Sequence, residues 1–280
     1  MNKKTLFKCP VCSKALIRSS KQYFCHNGHC FDISRRGYVN LLLPGHKGAG
    51  SSGDSAEMLQ SRREFLNKGY YEAFSDSLNN MVSRHLHYDK AFNILDAGCG
   101  EGYYIYRLKK DLESRFCMDG IGIYGIDVSK PAVHYASGRD KAISLAVAST
   151  YHIPIINNSL DCILCIFAPR DENEFRRVLK RSGKLIVAAP GPRHLYSFKT
   201  HLYDSTGFIG PKGTAGNGFM LLEHQNISYD IHLSSSEEIM HLFMMTPYSR
   251  HACDIKSDTF RSLSSLKVEV DINLFIYTRQ

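Results

Sequence analysis

The chain has no tryptophan, no apolar run approaching the roughly 18 residues of a membrane-spanning helix, and no apolar stretch behind its opening Met1-Asn2-Lys3-Lys4. The second absence leaves no candidate span, and the third leaves no secretory signal. A cytoplasmic protein is expected. In that compartment nine cysteines are not a disulfide framework,. Five of them, Cys99, Cys117, Cys162, Cys165 and Cys253, are scattered, and Cys162 and Cys165 sit in an apolar run where they act as small hydrophobes,. The other four crowd into the first 30 residues. Internal repeats are also missing.

What is present suits a folded chain of 280 residues, 43% hydrophobic, long enough for one α/β domain plus something small,. Charge is unevenly placed. Residues 1–70 hold twelve Lys and Arg against four Asp and Glu, so the whole formal charge of +8 lies in the first quarter. A basic module ahead of a neutral one suggests a grip on a polyanion such as nucleic acid.

That module contains Cys9-Pro10-Val11-Cys12 and, after twelve intervening residues, Cys25-His26-Asn27-Gly28-His29-Cys30. Two thiolates on one turn and a second pair on another suit tetrahedral structural zinc. A segment this short and poor in large apolar residues needs metal to fold. Cys9, Cys12, Cys25 and His29 are the expected Zn2+ ligands, with Cys30 competing for the fourth place and His26 badly placed beside Cys25. Residues 44–57 are rich in Gly and Ser and read as a linker. Helices are expected over Glu57 to Leu66, capped by Asp54 or Ser55, and over Tyr70 to Leu86. Arg62 and Arg63 are expected on a solvated face. The division predicted is 1–43 for the zinc-binding module, 44–88 for linker and helices, and 89–280 for a catalytic domain.

The most constrained segment is Ile94-Leu95-Asp96-Ala97-Gly98-Cys99-Gly100-Glu101-Gly102, an apolar strand entering a loop with Gly at alternate positions. Such a loop turns sharply and lets a ligand approach the backbone. Asp96 and Glu101 argue against a phosphate cradle, whereas a ligand with sulfonium and ammonium groups favours carboxylates. S-adenosylmethionine is such a ligand. The next apolar strand, Ile121 to Ile126, ends in Asp127, placed to accept ribose hydroxyls. Its distance from Gly98 exceeds the roughly 20 residues expected, and Glu113 to Asp119 is read as the loop supplying the excess. A nicotinamide site would prefer G-x-G-x-x-G.

The remainder follows a doubly wound pattern. A helix is expected over Pro131 to Ala136, a strand over Ile143 to Ala148, a strand over Asp161 to Phe167, a helix over Asn173 to Leu179 and a strand over Lys184 to Ala189, with Arg181-Ser182-Gly183 as the turn between. Strands over Ile227 to Leu233 and Lys267 to Thr278, with a helix over Ser236 to Met244 between them, would close the sheet. Gly207 to Gly218 carries five glycines and is expected to be mobile.

These motifs resemble the bacterial 23S rRNA (guanine-N1)-methyltransferases, which join a zinc module to a class I (Rossmann-like) methyltransferase domain. Besides the zinc set and Asp96 to Tyr104, the matching stretches are Phe31-Asp32-Ile33, Gly37 to Leu41, Gly53 to Met58, Asp127 to Lys130, Pro190 to His194 and Met245-Thr246-Pro247. The resemblance implies an α/β class I methyltransferase sheet and methylation of guanine N1 in a 23S rRNA hairpin. It places Tyr71, Gly100, Glu101 and His194 against S-adenosylmethionine, beside Asp96, Gly98, Gly102 and Asp127 from the loop reading. It further implies a homodimer with a basic cleft. The chain departs from the family in lacking Trp, with Tyr248-Ser249-Arg250 where relatives carry an aromatic pair, in its extra Cys30 and in a lengthened Glu113 to Gly120 segment.

Methyl transfer to guanine N1 needs a group that takes or offsets the N1 proton. No single residue is identified for that by sequence, though His152, Asp171 and His194 lie near strand ends. The base must leave its stack, which favours a loop target. Lys8, Lys14, Arg18 and Lys21 are expected at phosphates. The rival readings are a class I methyltransferase for a small molecule and a zinc-dependent RNA-binding protein without activity.

Overall fold

The computed structural model describes residues 3–45, 54–85, 92–116, 120–202, 216, 218–250 and 254–280. Two sheets organise it. The smaller is antiparallel, in sequence order, and contains β1 (Lys3–Lys8), β2 (Ala15–Arg18), β3 (Gln22–Phe24) and β4 (Cys30–Asp32). Then come β5 (Val39–Asn40) and two helices, α1 (Ala56–Asn67) and α2 (Glu72–His85). Ser55 caps α1, its hydroxyl accepting from the Met58 N–H at 3.2 Å. One face of α2 buries Phe74, Leu78, Met81 and Val82, the helical spacing visible in the sequence,.

The second half alternates strand and helix as β6 (Asn93–Ala97), α3 (Tyr103–Arg115), β7 (Gly122–Asp127), α4 (Lys130–Ala136), β8 (Ser144–Val147), β9 (Leu160–Ile166), α5 (Glu172–Val178) and β10 (Leu179–Pro190). It ends with α6 (Tyr196–Thr200), β11 (Phe219–Leu233), α7 (Ser236–Met245), a 3-10 turn at Pro247–Arg250, α8 (Asp254–Ser262) and β12 (Leu266–Arg279). The eight-stranded sheet runs β11-β12-β10-β9-β6-β7-β8-β5. The strands from β10 to β5 pair in parallel, and β12 is antiparallel to both β10 and β11. Parallel strands β6 and β9 are buried on both faces, hence their near-continuous apolar runs,.

Several boundaries differ from the sequence reading. Strand β10 starts at Leu179, because Arg181-Ser182-Gly183 is a register shift inside the strand, with Ser182 left-handed at φ +62°. Strand β11 extends back to Phe219, where Met220-Leu221-Leu222 and a register shift conceal the alternation. Of the loop expected over Glu113 to Asp119, Glu113 to Arg115 form the last turn of α3, and residues 117–119 lie outside the described residues. Most of the Gly207 to Gly218 segment, and residues 46–53 of the linker, lie outside the described residues.

The small sheet is not a separate bead. Val39 and Asn40, within the span assigned to the zinc module, pair with Ala146 and Val147 of the large sheet. Phe7 is fully buried and meets Tyr23 of the small sheet and Tyr124 of β7 edge-on, with ring centroids 5.7 and 5.5 Å away. Backbone bonds from Lys8 N to Pro154 O (2.9 Å) and from Ile156 N to Leu6 O (3.0 Å) tie the same strand to the loop after β8. Phe7, Cys9, Leu16, Tyr23 and Cys25 therefore share one core with Leu95, Ile126 and Ile163.

Phe7→Ala opens a cavity in that shared core, and such truncations cost about 3–5 kcal/mol. Denaturant unfolding of the variant, followed by circular dichroism, is expected to show one transition at a lower midpoint. A wild-type midpoint with an early, separate small-sheet transition would show that the two parts unfold independently.

Candidate active site

Strand β6 delivers Asp96 and Ala97 to the glycine loop at the carboxyl edge of the sheet, where α/β ligands bind,. Gly98 and Gly102 both stand at φ +85°, and neither position tolerates a side chain. A Cβ at Gly98 would lie 2.5 Å from the Ala168 Cβ, and one at Gly102 would lie 2.9 Å from that of Ala136. The N–H groups of Gly98 and Cys99 both donate to the Ile126 carbonyl at 2.9 Å. Gly100 N–H donates to the Asp127 carboxylate at 2.9 Å, and Ser129 N–H donates to its other oxygen at 2.8 Å. Burial pushes the Asp127 carboxyl up, while those two N–H groups oppose the rise.

The two acids of the loop have opposite surroundings. Asp96 is 1% exposed, and neither carboxylate oxygen has a hydrogen-bond partner among the described residues. Burial, aided by the nearby Asp127 charge, pushes its pKa up to about 8. Glu101 is equally buried but is forked by Arg139, whose Nε and Nη2 donate to its two oxygens at 2.7 Å each. Arg63 adds a third contact at 3.4 Å and lies over the Tyr135 ring. Arg62 is paired with Asp54 at 2.5 Å and donates to the Met245 carbonyl. The solvated face expected for Arg62 and Arg63 is thus corrected: α1 packs its arginines against the loop and against α7.

Asp96, Gly98, Gly100, Glu101, Asp127, Tyr71 and His194 all line one cavity of about 1080 Å³. That lies at the upper end of small-ligand sites, with room for a cofactor and a second reactant. Gly102 stands just behind it, at the start of α3. Tyr71 and His194 are both buried, with the Tyr71 hydroxyl 3.4 Å from His194 Nε2. His194 Nδ1 accepts the Asp271 N–H at 3.2 Å, so in the neutral ring the proton sits on Nε2,. Burial, helped by the Lys199 charge, holds His194 down at about 4 and neutral. With its acceptor nitrogen occupied, His194 can donate but not take a proton. Of the other two candidates, Asp171 caps α5 through the Asn173 and Glu174 N–H groups, and His152 lies on the exposed side of its loop, outside the cavity lining.

Sequence reasoning missed Asp271. It is 4% exposed, and its carboxylate accepts from Arg193 N–H (2.8 Å) and Asn226 (2.7 Å) while its carbonyl accepts from Gly191 N–H. It therefore sets the Pro190 to His194 turn. In sequence Asp271 alternates with Glu269 and Asn273 between apolar residues and reads as the polar side of a strand, so nothing local signals its burial. Leu195 was also missed; it is left-handed at φ +55°, which no composition rule reveals.

The Sγ atoms of Cys9, Cys12 and Cys25 and a ring nitrogen of His29 all lie within 4.8 Å of one another. Cys12 Sγ is 3.6 Å from Cys25 Sγ, and Cys25 Sγ is 3.4 Å from His29 Nδ1. Cys30 is exposed and turned to the Gly28 carbonyl. Three thiols and an imidazole converging from two turns make the donor set of tetrahedral zinc. Nearby, Lys14 and Lys21 are exposed, Arg18 lies over the Tyr23 ring, and burial plus the Arg177 charge lower the pKa of Lys8. Cys162 and Cys165 are buried in β9 as expected.

Fold, loop and cavity define a class I S-adenosylmethionine-dependent methyltransferase with an N-terminal zinc ribbon. A family model described as "RlmA, N-terminal" matches residues 7–49, and one described as "Methyltransferase domain" matches residues 88–241. The 23S rRNA (guanine(748)-N(1))-methyltransferase of Streptomyces fradiae is 32% identical over 72% of this chain and 68% of its own length. A protein of Micromonospora griseorubida, provisionally named a 23S rRNA (guanine-N(1)-)-methyltransferase, is 33% identical over 72% and 70%. YxjB of Bacillus subtilis, named in the same provisional way, is 29% identical over 97% and 96%. The chain belongs to the 23S rRNA (guanine-N(1)-)-methyltransferase family.

Asp96 carries a proton in the folded state at pH values where the unfolded chain, near the ordinary 3.9, has lost it,. Stability from this group is therefore present at low pH and falls as pH rises from about 4 to about 8,. Asp96→Asn is expected to unfold at a higher denaturant concentration than wild type at pH 8, with the difference closing towards pH 4. Parallel pH profiles for the two proteins would contradict a raised Asp96 pKa.

Proposed function

We propose that this protein transfers a methyl group from S-adenosylmethionine to N1 of a guanine in a 23S rRNA hairpin loop, with zinc held by Cys9, Cys12, Cys25 and His29. The observation that carries the reading is one body of structure holding both a Cys3His cluster and an α/β cavity with an orphaned carboxylate. A small-molecule methyltransferase has no use for the former.

S-adenosylmethionine, when bound, supplies an electrophilic methyl on a cationic sulfonium. The unpartnered Asp96 carboxylate suits a cationic ligand, which would ionise it and relieve its burial,. Asp127 keeps free lone pairs for ribose hydroxyls after clamping Gly100 and Ser129,. Gly98 and Gly100 bring bare backbone to the cavity wall, Gly102 lets the loop pack on Ala136 behind it, and Glu101, locked by Arg139, holds the loop's shape. Tyr71 stays protonated in its buried place; its hydroxyl accepts the Nε2–H of His194, and its own O–H is the donor this pair offers to the cavity. A fixed donor of this kind stabilises charge developing on the base as N1 loses its proton. Such an arrangement acts chiefly by positioning, the expected contribution in methyl transfer.

Lys14 and Lys21, beside the ribbon, hold RNA phosphates, with affinity that weakens as salt rises,. Among the described residues no helix is long and apolar enough to cross a membrane, and the cytoplasm is the compartment we assign. A homodimer is the assembly we assign, supported by Met220, Leu221 and Leu222, which are exposed at 41–50% on the edge strand β11,.

Incubation with labelled methyl donor and naked 23S rRNA, mapped by mass spectrometry, is expected to place label on N1 of a hairpin-loop guanine. Label on no RNA would refute the reading; label on another atom or loop would redirect it. Zinc analysis is expected to give one ion per chain in wild type and Cys30→Ser, and a sharp loss in His29→Ala. Loss in the Cys30 variant alone would transfer the fourth ligand to Cys30.

A further inference from the structure

Five non-glycine residues among those described adopt left-handed backbone: Ser13, Asn158, Phe167, Ser182 and Leu195. Ser and Asn occupy that region at modest cost in turns, but a bulky residue there stores strain that its surroundings must impose. The two bulky ones, Phe167 and Leu195, both line the active-site cavity. Phe167, at φ +53°, is also one of the few large apolar residues left exposed, at 41%.

The surroundings that impose this conformation are rigid. Phe167 N–H donates to the Ala188 carbonyl of β10, at 3.2 Å. The next residue, Ala168, is wedged against Gly98, where a Cβ would come within 2.5 Å of it. The Phe167 ring lies nearly parallel to the His194 ring (17°, centroids 6.1 Å apart) and rests against the fully buried Phe74 at 5.8 Å. A large apolar ring set against His194 and Phe74, yet 41% exposed where it lines the cavity, offers surface that a planar ligand would cover.

Strand order says which ligand. Asp127, the residue proposed for the ribose, ends β7 on one side of β6, whereas Phe167 follows β9 on the other. The donor and acceptor halves of the cavity therefore fall on opposite sides of the glycine loop. We propose that Phe167 is the stacking platform for the unstacked target base, fixing the plane of the purine beside the hydrogen-bonded pair of Tyr71 and His194. The assignment rests on the RNA methyltransferase reading above. Strain is what aims the ring: in ordinary extended backbone the side chain at this position would follow the alternation of β9 into the core.

The test compares Phe167→Leu and Phe167→Tyr with wild type, using the 23S rRNA hairpin that the wild-type enzyme methylates. Base–aromatic stacking is worth about 1–3 kcal/mol, so Phe167→Leu is expected to lose about tenfold to a hundredfold in kcat/KM for the hairpin. Its S-adenosylmethionine Kd, read by calorimetry, should stay within about twofold of wild type, because the altered side chain faces the acceptor half. Phe167→Tyr keeps the ring and is expected to retain most of the activity. With 2-aminopurine at the target position, wild type and Phe167→Tyr should quench its fluorescence on binding, and Phe167→Leu should not. Wild-type methylation with equal activity and equal quenching in Phe167→Leu would overturn the platform and leave the function standing. Failure of the wild type to methylate any RNA would instead remove the function on which the platform rests. A Phe167→Leu protein with weakened cofactor binding and an unchanged quench would reduce Phe167 to a packing residue.

Discussion

The Asp127 carboxylate accepts the N–H of Gly100 from one loop and the N–H of Ser129 from the next, and most of the site is referenced to that clamp. A buried carboxylate with two backbone donors fixes the loop after β6 relative to the start of α4, which joins β7 to β8. On the other flank, Ala168 fills the space a Gly98 side chain would need, so the loop after β9 is fixed by contact rather than by charge. The glycine loop is thus held from both sides. Neither half of the cavity can shift without moving it, and reactions governed by placement need such stiffness.

The zinc ribbon extends the same principle outward. A cluster of three thiols and an imidazole could have been tethered by a free linker, leaving its charge to search for RNA independently. Instead Phe7 sits between Tyr23 and Tyr124, and β1 hydrogen-bonds the loop after β8. A phosphate held by the ribbon is held relative to the sheet. The ordering entropy of bringing RNA to the cavity is then met in part by folding rather than at each encounter.

Much of this was legible because it is written in periodicity and punctuation. The apolar runs at Ile94 and Ile163, the glycines at 98, 100 and 102 and the acid at 127 are local signals, and the parallel sheet follows from them. The Cys and His spacing is equally local, and the convergence of Cys9, Cys12, Cys25 and His29 is what that spacing implies. What escaped was set by tertiary packing. Arg139 and Arg63 converge on Glu101 from different helices and turns, so nothing near Glu101 in sequence reveals that it is paired while Asp96 is not. Phe167 reads as the last residue of an apolar strand, and its backbone reversal depends on β10 and on the glycine loop, which are remote in sequence. Asp271 reads as a residue on the polar side of β12 until the turn it holds is seen.

These unread features share a place as well as a cause. Apart from a few isolated polar atoms, the costly features of the described structure gather in the cavity: an unpartnered carboxylate at Asp96, a neutral histidine with its acceptor nitrogen occupied, and two bulky residues in left-handed backbone. Each departs from what local sequence rules would choose, and departures of that kind persist where function compensates for them. Two of them also have a natural complement: a cation for Asp96 and a planar ring for Phe167. A methyl-donating sulfonium and a purine together present that set. Ligand binding would therefore relieve the costs the free protein carries, and substitutions that remove those costs should stabilise the fold as they weaken the site.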